Sequence, residues 1–137
     1  MTQPDERLRP HPSARLAGPA VPLNFPELAR ALHAEPHQAT HGHRQASLAH
    51  RGPLRLVLFA LEAGATLPVH RAPGHVLLHC LRGRLEVEAA GARQQLGTGE
   101  ALLLDPDVPH GVTAVEESDM LLTLALAHKP GAESAAS

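Results

Sequence analysis

The sequence contains no Trp, Tyr or Ile, only two Phe, a single Cys and a single Lys. With aromatic side chains confined to Phe25 and Phe59, any core must be packed from Leu, Val and Ala. One cysteine, Cys80, excludes an intrachain disulfide and fits a reducing compartment. A large excess of charge of either sign is also missing. The formal net charge is −2, which gives no general electrostatic reason to expect nucleic acid or an acidic membrane as partner. No apolar run is long enough to cross a bilayer, and the longest, Met120 to Ala127, is strand-sized. Met1 to Pro12 is polar and Pro-rich and unlike a signal peptide, so a cytoplasmic location is expected.

What the chain does have is enough hydrophobic content, 43% over 137 residues, to bury the core of one domain. Residues 1–20 lack periodicity and read as a flexible arm, residues 21–128 as the folded domain, and residues 129–137 as a flexible tail. Asn24 before Phe25-Pro26-Glu27 has the form of an N-cap followed by Pro and an acid in the first helical turn. Leu28 and Leu32 give that helix one apolar face, and Pro36 predicts its end near Glu35.

Beyond Pro36 the period shortens. Strand-length segments are predicted at Ala46–His50, Leu54–Leu61, Ala65–His70, His75–Leu81, Arg84–Ala89, Arg93–Leu96, Ala101–Leu104, Gly111–Val115 and Met120–Ala127. Gly or Pro punctuates most of the gaps. Arg84 to Glu88 alternates, with one wet and one dry face, whereas Leu54–Leu61 and Met120–Ala127 are apolar on both faces, as inner strands of a two-layer structure would be. Many short strands and only one short helix argue for an all-β barrel or sandwich.

Two motifs narrow this further. Gly64 is followed after five residues by His70, and Gly83 closes the next strand and turn. Gly99-Glu100 then leads through an apolar segment to Asp105-Pro106-Asp107-Val108-Pro109-His110. Across about residues 54–126 the sequence resembles the cupin superfamily, small double-stranded β-helix or jelly-roll barrels. In better-preserved members, two His of a His-x-His motif, a Glu and a later His hold a divalent metal. Here the second His position falls on Ala72 and the Glu position on Val76, so the resemblance carries over only His70 and His110 as metal ligands.

Two neutral imidazoles alone make a weak metal site. His75, beside the missing Glu, is the candidate third ligand, and His79 in the same strand is a weaker candidate. Strand parity opposes both: if position 76 faces the pocket, 75 and 79 point away unless a bulge near Pro73-Gly74 shifts the register. His79 then faces a second sheet or a subunit interface, with His50 as a neighbour. His37, His41 and His43 read as a solvated loop, and His11, His33 and His128 receive no functional role. Cys80 reads as an inert core thiol on the Leu78 face. Glu86 and Glu88 belong to a wet face, Glu100 is a turn residue, and Arg71 and Arg82 are candidates for an anion grip at the pocket rim, though ordinary surface arginine suits them better.

Three readings of function follow. In the first, His70 and His110, with His75 or water, bind Fe, Mn, Ni, Cu or Zn, and the protein acts on a small molecule; as an enzyme it would be a metal-dependent dioxygenase or isomerase. In the second, no metal is bound and an aliphatic pocket takes a small ligand, as a sensor or accessory protein would. In the third, the role is assembly around a vestigial pocket. The partners expected are a small molecule and a second copy in a homodimer, the latter from the resemblance, with no nucleic acid and no membrane.

Overall fold

A computed structural model describes residues 16–36 and 41–127; the expected arm up to residue 15, His11, His37, His128 and the expected tail from residue 129 lie outside the described residues. Helix α1 spans Phe25–His33, two residues short of the sequence expectation. Its N-cap is Asn24, whose side-chain oxygen accepts a hydrogen bond from the Glu27 backbone N–H at 3.1 Å. Nine strands follow: β1 His43–Arg51, β2 Leu54–Leu61, β3 Thr66–His70, β4 Gly74–Arg82, β5 Arg84–Ala89, β6 Ala92–Gly97, β7 Ala101–Leu104, β8 His110–Ala114 and β9 Ser118–Leu126. Every strand expected from the sequence is present.

Among the described residues the strands form two antiparallel sheets, β1-β2-β9-β4-β7 and β3-β8-β5-β6, the jelly-roll arrangement with one short helix. Between them lies the main core, to which one sheet contributes Phe59, Val76 and Met120 and the other Leu85, Val87 and Val112. Strands β2 and β9 are apolar on both faces for a geometric reason. Val57, Phe59 and Leu122 face the barrel interior, while Leu58, Ala60 and Leu121 turn outward beneath Ala29 and Leu32 of α1. Each of these side chains, once removed from water, contributes about 1.5–3 kcal/mol for a Leu or Phe and less for Ala.

The register of β4 decides which of its residues see the interior. It runs without interruption from Gly74, opposite Leu126, to Cys80, opposite Met120, and its one irregularity lies between Cys80 and Arg82. No bulge forms at Pro73-Gly74. A side chain at Gly74 would meet the Ala125 carbonyl oxygen at 2.1 Å, so glycine is what lets β4 lie this close to β9. Gly83 is required as well. It turns β4 into β5 at φ +99°, and a Cβ there would stand 2.3 Å from the Ser118 hydroxyl oxygen.

A hydrogen-bonded clasp joins α1 to the barrel. Asp119 is buried on β9; the His33 ring, through Nε2–H, donates to its Oδ1 at 2.6 Å, and the Arg82 guanidinium donates through Nε to its Oδ2 at 2.9 Å. Glu117 also accepts from Arg82 at 3.0 Å. The Asp119 hydrogen bond is the main reason the Arg82 pKa is raised further. His33 and Arg82 thus have structural partners, and Arg82 stands in a cleft beside α1, away from the cavity described next.

Candidate functional site

His70 ends β3 and His110 begins β8, and the two are directly opposed in the β3–β8 ladder. Their ring centroids are 4.4 Å apart with the planes inclined at 56°. Each ring is held by the carbonyl two residues earlier in the chain: His70 Nδ1–H donates to Pro68 O at 3.1 Å, and His110 Nδ1–H donates to Val108 O at 3.0 Å. A carbonyl only accepts, so Nδ1 must carry the proton, and in the neutral ring Nε2 presents its lone pair. His110 is 1% exposed, and its Nε2 is buried with no hydrogen-bond partner among the described residues. His70 lies at the rim and is solvent-exposed.

Both rings open on a cavity of about 280 Å³ between the sheets. Most of its wall is apolar, from residues such as Phe59, Leu67, Leu78, Val112, Met120 and Leu122. The remaining polar groups come from β1: His43 and Gln45. Among the described residues, no Asp, Glu, Lys or Arg lines it. His43 packs beside Phe59, ring centroids 6.0 Å apart, and its Nδ1 is buried without a partner among the described residues.

Thus His70 and His110 are brought together, and His75 and His79 are not brought to them. The alternating burial along β4 turns Val76, Leu78 and Cys80 inward and His75 and His79 outward. His75 is 57% exposed and stands 3.8 Å from Asp105 on the surface. His79 pairs across the ladders with Ala101 and Leu121, while His50 pairs with Arg55 on β1–β2; β2 and β9 separate the two histidines, so the expected neighbourhood does not form.

His43 is the residue sequence reasoning missed. Reading His41 and His43 as one loop is right for His41, exposed at φ +50°, but β1 begins at His43 and not at Ala46. The signal was the alternation His43-Arg44-Gln45-Ala46-Ser47-Leu48. Its even members Ala46 and Leu48 pack under α1, which leaves His43 and Gln45 on the cavity side. Cys80 is fully buried in the core, does not line the cavity, and has its thiol pKa raised chiefly by desolvation. Glu100 accepts from Gly97 N–H at 2.6 Å as a turn residue, and Glu88 sits on the outer face near Arg93.

The cupin domain family matches residues 57–126, which spans half the chain and contains both anchored histidines. The chain is a cupin. No curated protein matches it in sequence. Among solved structures, an RmlC-like cupin from Desulfovibrio desulfuricans is 26% identical with a TM-score of 0.58, over 68% of this chain and 93% of that one. A cupin superfamily protein from Desulfitobacterium hafniense is 18% identical with a TM-score of 0.64, over 73% and 88% of the two chains. Salicylate 1,2-dioxygenase from Pseudoaminobacter salicylatoxidans is 18% identical with a TM-score of 0.68, over 80% of this cupin and 34% of that chain; this likeness is one of fold.

The metal centre of better-preserved cupins can be tested against these side chains. The anchored Nδ1 atoms set His70 and His110 in the tautomer that metal-binding histidines use. The set is nonetheless short. Ala72 and Val76 supply no donor, and among the described residues no three His, Cys, Asp or Glu side chains converge closely enough to hold an ion. Stable protein sites use three or four such ligands, so the described residues do not complete a resident metal centre.

Proposed function

We propose that this cupin binds a small, mostly apolar molecule in the cavity between its sheets, and that the molecule's proton-donating head group is received by Nε2 of His70 and His110. The observation that carries this reading is the His110 ring, buried in an apolar wall with Nδ1 satisfied and Nε2 without a partner. A buried acceptor left unpaired costs about 1–3 kcal/mol, which a ligand hydroxyl or N–H would recover. The size is suitable: a cavity of about 150 Å³ is enough for benzene, and this one is about 280 Å³. Among the described residues the lining holds no carboxylate, Lys or Arg, which favours an uncharged ligand over an ionic one.

The test uses chelator-treated protein and calorimetric melting. Phenol raises the melting temperature by linkage, toluene raises it less, and the His110→Phe variant loses the difference between them. Equal shifts from phenol and toluene in the native protein would overturn the reading.

One feature favours the competing metal reading, namely the Nδ1 anchoring shared by the two histidines. It requires solvent or a ligand to supply the rest of the coordination sphere, and elemental analysis separates it from the first. For assembly we infer a homodimer through the outer face of the five-stranded sheet, where Leu103 is 69% exposed and Leu54 37% exposed. Sedimentation of the native protein against Leu103→Asp measures it; a monomer in both would remove the inference.

A further inference from the structure

A second unpaired imidazole nitrogen among the described residues is Nδ1 of His43, a residue that also lines the cavity, on the other sheet from the first. In the β1–β2 ladder, His43 is opposite Leu61 and Gln45 is opposite Phe59. Leu61 and Phe59 are core residues of the barrel interior, so His43 and Gln45 share the inward face of β1. His70 and His110 belong to β3 and β8 of the facing sheet. The apolar side chains of Phe59, Leu78, Met120 and Leu122 fill the wall alongside these groups. Polar groups thus occur on both sheets, with hydrocarbon between and around them.

A cavity that served one head group would gain from apolar residues at positions 43 and 45, because a buried imidazole nitrogen without a partner is a cost. Phe59 packs beside the His43 ring, and the Nδ1 atom is buried. Gln45, an exposed residue that also lines the cavity, adds both a donor and an acceptor on the same strand face. Together they form a second polar contact point able to give and to receive a hydrogen bond.

We propose that the ligand is bipolar: a compact apolar body, such as a single ring, with one proton-donating group on His70 and His110 and a second hydrogen-bonding group read by His43 and Gln45. This rests on the ligand-binding reading of the cavity and adds the pair on β1 as its specificity determinant. Sites built to hydrogen-bond a ligand hydroxyl discriminate against the isostere that lacks it, because their own polar groups are then left unpaired.

A matched pair of probes tests it by isothermal titration. The probes are 4-hydroxybenzyl alcohol and 4-ethylphenol, which share the ring and the phenolic head and differ only in the distal hydroxyl. The quantity read is the ratio of their dissociation constants in native protein, His43→Phe and Gln45→Leu. The expected result is a preference for the alcohol that falls about tenfold in His43→Phe and in part in Gln45→Leu, while 4-ethylphenol still binds both variants. A ratio unchanged in both variants overturns the inference and leaves the phenolic head reading standing. Failure of both probes to bind native protein overturns the cavity reading, and this inference with it.

Discussion

His70 and His110 form a cross-strand pair whose rings stand 4.4 Å apart, each fixed by a hydrogen bond to the carbonyl two residues before it. The two positions are chemically alike but unequal in burial, one at the rim and one in the wall. Truncation should therefore separate them. His110→Ala removes a fully buried ring and is expected to cost about 2–4 kcal/mol, whereas His70→Ala is expected to cost under about 1 kcal/mol. Urea denaturation of the two variants measures this, and both should lose phenol binding.

Metal content discriminates between the first two readings of function. Protein purified without chelator is expected to hold Fe, Mn, Ni, Cu or Zn far below one equivalent, with no change in the His70→Ala/His110→Ala double variant. Near-stoichiometric metal that disappears in that variant would establish the metal reading, with water or a ligand completing the sphere.

The clasp on α1 makes a stability prediction. Asp119→Asn keeps the shape of the side chain and removes the charge that accepts from both His33 and Arg82. Its loss is expected to lower stability by about 2 kcal/mol, the scale of hydrogen bonds to charged groups. Because α1 covers Leu58 and Leu121, hydrogen exchange in β2 and β9 should quicken as well.

Cys80 predicts a pH dependence. Burial raises its folded-state pKa, so the folded thiol keeps a proton that the unfolded chain releases above about pH 8.5. Below that value the group does not alter stability; as pH rises beyond it, stability falls, by up to about 1.4 kcal/mol per pH unit. Native protein should lose stability between about pH 8.5 and pH 10 more steeply than Cys80→Ala does. Parallel slopes in the two proteins would contradict the assignment.

Much of this architecture was legible because its determinants are local. Gly64, Gly83 and Gly99 mark turns, Pro109-His110 marks the start of β8, and alternation marks Arg84 to Glu88. Parity alone was enough to turn His75 and His79 away from the interior, since Gly74 allows an unbroken register. His43 was not legible for a related reason. A strand that puts polar side chains toward a cavity and Ala46 and Leu48 toward a helix reverses the usual wet and dry faces, and its polar start looks like the end of a loop. The bond between His33 and Asp119 joins residues 86 apart in sequence, and only the folded sheet brings them together.

The most direct test of the ligand reading is the nitrogen spectrum of the histidine rings, recorded by long-range proton–nitrogen correlation in the presence of chelator as phenol is added. The Nε2 resonances of His70 and His110 are expected to move together and saturate with phenol, while their Nδ1 resonances, already bonded to Pro68 and Val108, stay nearly still. Saturable phenol binding that leaves both Nε2 resonances in place would contradict it.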